Sequence, residues 1–154
     1  GLTEMTDIKI AIADHPDIGT VAPMFDLYRQ FYKQAPDAQL AFKYIEERVQ
    51  GRESIILVAT GAEGDGAGFC QLYPSFCSVE ALPIYVLYDL YVRAEYRGSG
   101  VGRALMLAAE AHAAANGVAR LDLSTAKDNT SAQALYESLG WIKDEIFCTY
   151  NRRI

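Results

Sequence analysis

Three glycines stand within five residues of the segment EYRGSGVGRAL, Glu95 to Leu105, directly before a run of strong helix formers. Glycine loses more conformational entropy on folding than any other residue, so such a cluster favours a place where the backbone closely approaches a bound group. The spacing Arg97-x-x-Gly100-x-Gly102 puts a guanidinium beside main-chain N–H groups at the predicted start of a helix. Helix N-termini bind anions, which makes a diphosphate the predicted ligand.

This segment departs from the two common phosphate-binding fingerprints. A P-loop needs Lys-Ser or Lys-Thr after its last glycine, and the GxGxxG fingerprint fails because Arg103 and Leu105 occupy its last position in the two frames. The alternative interpretation is a glycine-rich turn that only lets a strand and a helix pack. The arginine, the glycine spacing, the incoming strand and the outgoing helix together favour the anion site.

A second candidate lies in the strand that leads into the glycine segment. The run IYVLYDLYV, Ile84 to Val92, is apolar and aromatic apart from Asp89. A carboxylate is costly to bury without a partner, so Asp89 is a candidate site residue. The equal alternative is a structural bond from Asp89 to a backbone N–H at a bulge of this strand.

Composition narrows the classes of protein that the chain can represent. A length of 154 residues, with 51% apolar and 22% charged residues, predicts one globular domain over 1–154. The net charge of −6 argues against nucleic acid and anionic membranes as partners and is compatible with cationic substrates. No apolar run is long enough for a membrane span and GLTEMTDIKI does not look like a signal peptide, so we expect a cytoplasmic protein.

Cysteines and histidines are few. Cys70, Cys77 and Cys148 form no CxxC pair, and the chain has two histidines. We therefore expect reduced structural thiols and no metal site.

Hydrophobic periodicity predicts the element order β-α-α-β-β-β-α-β-α-β(β) and a mixed sheet covered by helices, an α/β fold. The predicted strands are Asp7–Ala13, Ser54–Thr60, GFCQLYPSF, Ile84–Val92 at the sheet centre, RLDLST, and one or two strands in WIKDEIFCTYNRR. The predicted helices are Asp17–Tyr32, Leu40–Val49, about Gly100–Asn116, and NTSAQALYESLG. The segment GAEGDGAG reads as a hairpin turn.

The chain resembles the GNAT superfamily of N-acetyltransferases in two motifs. LYDLYVRAEYRGSGVGRALM looks like the acetyl-CoA motif of that family, whose signature is Arg/Gln-x-x-Gly-x-Gly/Ala. DNTSAQALYESLGW is similar to its second motif, with Asn129, Ala132, Tyr136 and Gly140-Trp141 at the expected spacings. The residue types in both segments are similar to those of the subgroup that holds yeast histone- and polyamine-acetylating enzymes and many bacterial relatives.

The resemblance implies a mixed central sheet of six to seven strands, splayed between the fourth and fifth strands and flanked by about four helices. It implies acetyl-CoA as co-substrate, with the pantetheine arm in the gap and the pyrophosphate at the glycine segment. The residues implied to bind acetyl-CoA are Leu90, Tyr91, Val92, Arg97, Gly98, Ser99, Gly100, Val101, Gly102, Arg103 and Asn129.

The resemblance also implies catalytic roles. Tyr136 would donate a proton to the departing thiolate, although packing of its helix against the sheet is the alternative. Many members carry an acid near Asp89, and here Tyr88 stands where a glutamate is often seen. Asp89 or an ordered water would accept the proton of the amine. Tyr28, Phe31 and Tyr32 either border the acceptor cleft or pack in the core.

We therefore predict an N-acetyltransferase that moves an acetyl group from acetyl-CoA to a primary amine by direct attack in a ternary complex. The acceptor is a small-molecule amine or a protein lysine. The alternatives are a catalytically silent acyl-CoA-binding regulatory domain on the same fold, and an unrelated nucleotide-binding protein, which the failed fingerprints disfavour. Members of the family often form homodimers, and the resemblance leaves a homodimer open here.

Overall fold

The computed structural model describes residues 7–154, so the part of the signal-peptide prediction that concerns residues 1–6 lies outside the described residues. The chain divides into two compact units, one that runs to Leu123 and one from Ser124 to Ile154. A single domain over 1–154 stays a prediction.

The first unit holds the sheet and, within the described residues, three α-helices. The strands are β1 (Lys9–Ile12), β2 (Ile55–Thr60), β3 (Gly66–Cys77), β4 (Leu82–Val92) and β5 (Arg120–Asp122). The helices are α1 (Ile18–Phe31), α2 (Ala38–Gln50) and α3 (Val101–Ala115), with short 3₁₀ turns at His15–Asp17 and Ala94–Tyr96.

The strands form one sheet in the order β1-β2-β3-β4-β5. Each neighbouring pair is antiparallel except β4 and β5, which are parallel. The predicted mixed sheet is therefore confirmed. The strand predicted at the sheet centre, β4, lies beside the edge strand β5, and β3 occupies the middle of the described sheet.

Local capping residues explain why the helix predictions agree closely with the structure. The Asp37 carboxylate accepts a hydrogen bond from the Leu40 N–H at 3.1 Å and starts α2. Gly100 precedes α3 with a φ of 87°, and Gly117 follows that helix with a φ of 69°. These signals lie within a few residues of the helix ends, so they are readable from the sequence.

The core between the helices and the sheet is apolar. Met24 of α1, Ile45 of α2 and Phe69 of β3 are fully buried in one cluster. Leu105 and Met106 of α3 are also fully buried. Burying such side chains contributes about 1.5–3 kcal/mol each and holds the strands in register.

The second unit contains α4 (Thr130–Ser138). Asn129 caps this helix, and Gly140 follows it with a φ of 90°, so the first and last residues of the predicted segment NTSAQALYESLG flank the helix. The predicted strands in WIKDEIFCTYNRR are wrong, because residues 141–154 form neither strand nor helix. The Asp144 carboxylate there accepts hydrogen bonds from the N–H groups of Ile146 and Phe147 at 3.1 Å, which competes with a strand ladder. The sheet of six to seven strands is thus five-stranded in the described residues.

Within residues 7–154, no helix combines the length and the apolar character needed to cross a membrane. The cysteines Cys70, Cys77 and Cys148 are free thiols, of which Cys70 is buried and Cys148 is exposed. In the same described range, no group of three or more His, Cys, Asp or Glu side chains is placed to hold a metal ion.

Candidate active site

The edge of β4 that faces β5 is open over half of its length. β5 pairs with β4 at Ile84, Tyr85 and Val86 and ends at Asp122. From Leu87 onward, β4 continues to Val92 with no strand of the described chain on that edge. The predicted splay between the fourth and fifth strands stays a prediction, because β5 ends where that splay would begin.

The main-chain N–H and C=O groups along β4 point alternately toward β3 and toward the open edge. The N–H of Arg93 donates to the carbonyl of Ala67 at 2.9 Å, so that pair is a hydrogen-bonded one. In an antiparallel ladder the next residue turns its N–H and C=O away and the following one turns them back. The register therefore assigns the open edge to Leu90 and Val92 and turns the main-chain groups of Tyr91 toward β3.

The glycine segment turns the chain from β4 into α3 through two left-handed residues. Gly98 has a φ of 79° and Gly100 a φ of 87°, a conformation that side chains disfavour. A Cβ at Gly98 would meet no protein atom within 4 Å, so backbone conformation and not crowding makes glycine necessary there. The Ser99 hydroxyl donates to the carbonyl of Tyr96 and holds the turn.

The start of α3 presents amide groups toward the glycine turn. Its first intrahelical bond runs from the Ala104 N–H to the Gly100 carbonyl at 3.0 Å. The amides of Val101 and Gly102 precede Ala104 and so have no acceptor within the helix. Because these N–H groups lie at the positive end of the helix dipole and beside glycines, the residues present fit a diphosphate.

Two arginines flank the turn. The Nε of Arg97 donates to the Val92 carbonyl at 3.0 Å, and its guanidinium lies 5.7 Å from the centre of the Tyr91 ring. Arg97 is exposed, and so is Arg103 in the first turn of α3. Each can therefore approach a phosphate from solvent.

Asp89 is buried at the middle of β4, with only 2% of its surface exposed. Gln71 of β3 lies directly opposite, and its Nε2 donates to Asp89 Oδ2 at 2.5 Å. The register shifts at this point, since Gln71 pairs with Asp89 but Leu72 pairs with Leu87. The extra residue is Tyr88, so β4 carries a bulge beside Asp89.

The hydrogen bonding of Asp89 differs from the structural alternative that the sequence offered, and its catalytic role stays a prediction. The predicted structural partner was a backbone N–H at the bulge, whereas the partner in the structure is the side chain of Gln71. Ser54 in turn donates from its Oγ to Gln71 Oε1 at 2.7 Å. Asp89 thus ends a buried polar chain that begins at Ser54.

Burial raises the pKa of the Asp89 carboxyl to about 6, while the hydrogen bonds from Gln71 and Tyr28 act in the opposite direction. Burial, followed by the nearby charge of Asp89, raises the pKa of the Tyr28 hydroxyl above its ordinary value. Burial raises the pKa of the Cys70 thiol to about 12. Near neutral pH, Asp89 therefore changes its charge readily, whereas Tyr28 and Cys70 keep their protons.

A tyrosine cluster lies next to this polar chain. The hydroxyls of Tyr44 and Tyr73 are 2.6 Å apart, and the Arg48 guanidinium lies 4.4 Å from the centre of the Tyr44 ring. Tyr73 contacts the ring of Tyr88 edge-on at 5.7 Å. In α1, Tyr28 packs on Phe25 and Phe69, whereas Phe31 and Tyr32 are exposed, and a role of these three residues at the acceptor cleft stays a prediction.

Sequence reasoning missed Gln71 and Ser54. The available signal was one polar residue, Gln71, inside the otherwise apolar run GFCQLY of a strand predicted to be buried. Its partner could not be read from the sequence, because Gln71 and Asp89 are joined only by the register of β3 on β4.

The second unit holds the other predicted site residues. Asn129 Oδ1 accepts from the Ala132 N–H at 3.2 Å, so the carbonyl end of this side chain caps α4. Tyr136 is half-buried, and the centre of its ring lies 6.2 Å from that of Trp141. The Trp141 N–H donates to the Tyr136 carbonyl at 3.0 Å and closes the helix end.

A family model and three known proteins, two of them with solved structures, are similar to this chain. A family model described as "Acetyltransferase (GNAT) family" matches residues 21–141. The uncharacterized N-acetyltransferase YhfO of Bacillus subtilis (strain 168) is 41% identical over 143 residues, 93% of this chain and 95% of that protein. A crystal structure of a probable acetyltransferase is 35% identical with a TM-score of 0.89, covering 95% and 97% of the two chains. The aminoglycoside N-acetyltransferase AAC(6')-Iy in complex with CoA, 19% identical with a TM-score of 0.79 over 96% and 95%, shares the fold.

Proposed function

The chain belongs to the acetyltransferase (GNAT) family, and from this premise we propose that its acceptor is an organic ammonium ion deprotonated with the help of Asp89. As a member of that family, it is an enzyme that transfers an acetyl group from acetyl-CoA to an amine. The observation that carries the acceptor proposal is the buried carboxylate of Asp89 at a bulge, with exposed aromatic side chains close by in the fold.

The aromatic side chains support a cationic acceptor. Tyr88 at the bulge is 66% exposed, and Phe31 at the end of α1 is 60% exposed. Tyr28 links the two elements, because its hydroxyl donates to the Tyr88 carbonyl at 3.1 Å. Aromatic faces attract alkylammonium ions, and the net charge of −6 favours their approach. A free polyamine and a protein lysine both present this group.

An ammonium ion must lose a proton before its nitrogen can attack the thioester. Asp89 is suited to accept that proton, because its raised pKa lies close to the neutral range in which a general base works best. In the proposed step an N–H bond breaks and an O–H bond forms on the Asp89 carboxyl. The neutral amine then attacks the thioester carbonyl, and a C–N bond forms as the C–S bond breaks. The departing thiolate takes a proton from the Tyr136 hydroxyl, and the second proton that the nitrogen loses restores that hydroxyl. The high pKa of Cys70 supports direct attack, since a protonated buried thiol is a poor nucleophile.

The glycine turn and β4 are proposed to bind acetyl-CoA, which supplies the activated acetyl group. The amides that follow Gly98 would hold the pyrophosphate, with Arg97 and Arg103 adding charge. The Leu90 and Val92 main chain would bond the pantetheine arm along the open edge of β4. An N–H on that edge would also stabilise the oxyanion that forms on the thioester carbonyl.

Tyr136 is proposed to donate a proton to the departing thiolate, and Asn129 to contact the pantetheine arm. A tyrosine hydroxyl has an ordinary pKa near 10, which suits a donor to a thiolate. The support for both residues is the second sequence motif. Because the carbonyl end of Asn129 caps α4, a cofactor contact from this side chain would use its amide nitrogen.

Two experiments test the proposed function. In a thermal-shift assay, acetyl-CoA and CoA should stabilise the protein by about 2.7 kcal/mol at one hundred times Kd, and ATP and NAD should not. Thiol release from acetyl-CoA is then followed with putrescine, an α-blocked lysine, glycine and aniline. We expect turnover with the first two. Preference for the zwitterionic glycine or the uncharged aniline would contradict an organic cation as acceptor, and binding without turnover of any amine would indicate a silent acyl-CoA-binding domain.

A further inference from the structure

We propose that Gln71, oriented by Ser54, is a positioning residue that holds the Asp89 carboxylate in its ionised form and directs the proton of the acceptor to one carboxylate oxygen. This inference rests on the proposed role of Asp89 as the proton acceptor. It concerns two side chains that neither sequence motif contains.

The three side chains form an ordered chain from the rim of the sheet to its interior. Ser54, partly buried beside the start of β2, donates to Gln71 Oε1 at 2.7 Å. Gln71 is fully buried and donates from Nε2 to Asp89 Oδ2 at 2.5 Å. Because Gln71 and Asp89 are direct cross-strand partners in β3 and β4, their side chains share one face of the sheet.

Ser54 matters because a glutamine side chain has two different ends. An ionised carboxylate only accepts hydrogen bonds, so Asp89 requires the NH₂ end of the Gln71 amide. A hydrogen-bond donor at the carbonyl end of the amide stabilises that orientation, and the Ser54 hydroxyl is such a donor. Without Ser54, a rotated amide would bring Oε1 against Asp89, which is tolerated only when the carboxyl is protonated.

The hydrogen bond to Oδ2 also selects the oxygen that is protonated. Gln71 occupies Oδ2, so the proton from the ammonium ion goes to Oδ1. Tyr28 has a single hydroxyl proton, which is within reach of both Asp89 and the Tyr88 carbonyl at 3.1 Å. In the structure that hydroxyl donates to Tyr88, so protonation of Asp89 leaves no donor facing another donor.

Several other ionisable groups surround Asp89, from each element that packs on it. Burial raises the pKa of each of the three that interact with it electrostatically, Tyr28 of α1 and Cys70 and Tyr73 of β3, so they stay neutral near pH 7. The remaining groups in this surrounding are Tyr32, Tyr88, Tyr44 and Arg48. Arg48 reaches the cluster through Tyr44 and carries a constant positive charge. An acid limb in the pH profile can therefore be assigned to Asp89.

The experiment compares the ionisation of Asp89 with the pH dependence of catalysis. ¹³C-carboxyl NMR titration of aspartate-labelled protein follows Asp89, identified by its loss in Asp89→Asn, and needs no acceptor. Thiol release with acetyl-CoA and putrescine, measured over a pH series, gives the acid limb of kcat/KM, which is the fall of kcat/KM toward low pH. Gln71→Met keeps the length of the side chain and removes the donor. We expect the Asp89 titration and the acid limb of kcat/KM to move to higher pH by about one unit each. At a pH below the limb, kcat/KM should then be roughly tenfold lower than in the wild-type protein.

Ser54→Ala should give a smaller shift in the same direction, and Ser54→Thr, which keeps the hydroxyl, should restore the original profile. If Gln71→Met does not fold, the Ser54 pair still tests the inference. Cys70→Ala is the matched control, because it removes a buried neighbour on β3 that is not part of the chain of hydrogen bonds. We expect it to lower the melting temperature without moving the acid limb.

The outcomes separate this inference from the proposed function. If Gln71→Met lowers the melting temperature but leaves the Asp89 titration and the acid limb in place, Gln71 is structural and the inference is overturned. If Asp89→Asn retains full turnover and the same acid limb, the proposed role of Asp89 fails and the inference fails with it. Matching shifts in the titration and in the acid limb support both.

Discussion

The hydroxyl of Tyr28 lies 3.1 Å from the carbonyl oxygen of Tyr88, which is the extra residue of the bulge in β4. This hydrogen bond ties the last turns of α1 to the point where β4 departs from regular pairing. The same hydroxyl also lowers the pKa of the Asp89 carboxyl. One side chain thus connects the helix, the bulge and the proposed proton acceptor.

Replacing Tyr28 by Phe should therefore affect both stability and ionisation. The aromatic ring keeps its packing on Phe25 and Phe69, so the loss is that of one hydrogen bond, about 1 kcal/mol in the free energy of unfolding. Because a donor to the carboxylate disappears, the pKa of Asp89 should rise above 6 and the acid limb of kcat/KM should move to higher pH. Tyr150→Phe, at a 93% exposed position, is the control for both measurements, and an equal effect there would contradict this assignment.

Asp89→Asn should change how stability depends on pH. The folded-state pKa of about 6 exceeds the ordinary value of 3.8, so the folded protein binds more protons than the unfolded chain between these values. The stability of the wild-type protein should therefore fall as pH rises from about 4 to about 6 and then level off, by roughly 2 to 3 kcal/mol relative to Asp89→Asn. Urea unfolding of both proteins at a series of pH values measures this difference.

The same variant tests the catalytic role. Removing a general base typically lowers turnover by about 10²- to 10⁴-fold, so Asp89→Asn should lose most activity at neutral pH while it still binds acetyl-CoA. A variant with normal turnover and an unchanged pH profile would show that the carboxylate is structural.

Gly100→Ala should weaken acetyl-CoA binding and destabilise the fold. Gly100 has a φ of 87°, and a side chain in that conformation costs about 1–2 kcal/mol. The variant also alters the turn that presents the amides of α3, so the Kd for acetyl-CoA should rise at least several-fold. Gly19→Ala is the matched control, because Gly19 lies in α1 and a Cβ there meets no atom within 4 Å. It should stabilise the protein by about 0.5–1 kcal/mol and leave the Kd unchanged.

Tyr136→Phe should separate binding from chemistry. The ring contact with Trp141 remains, and the hydroxyl that would protonate the thiolate is lost. We expect an unchanged Kd for acetyl-CoA and a turnover at least tenfold lower, within the range of general acid catalysis. Calorimetric titration and thiol release measure the two quantities, and normal turnover would remove the proposed acid role.

Local features of this chain could be read from its sequence. The start of α2 at Asp37, the left-handed Gly100 before α3 and the cap of α4 at Asn129 each depend on residues within one helical turn. The glycine turn belongs to this group, because its backbone conformation follows from residue types at adjacent positions. For the same reason the two motifs, each a short continuous segment, are enough to identify the family.

Local pattern also misled in one place. The C-terminal segment WIKDEIFCTYNRR contains β-branched and aromatic residues, which favour strands, yet residues 141–154 form no strand, and Ile142 and Tyr150 are more than 90% exposed. A strand needs a partner, and residue types alone do not supply one. The side chain of Asp144 satisfies two main-chain N–H groups locally instead.

The sequence by itself determined the family, the activity and the turn predicted to bind the diphosphate, because each rests on short-range residue patterns. Only the tertiary structure decided what holds Asp89. Its partner Gln71 lies eighteen positions earlier in the chain, and Ser54 a further seventeen. Those distances close only through the pairing of β2, β3 and β4 and the bulge at Tyr88, since a slip of one residue would turn Gln71 to the other face of the sheet.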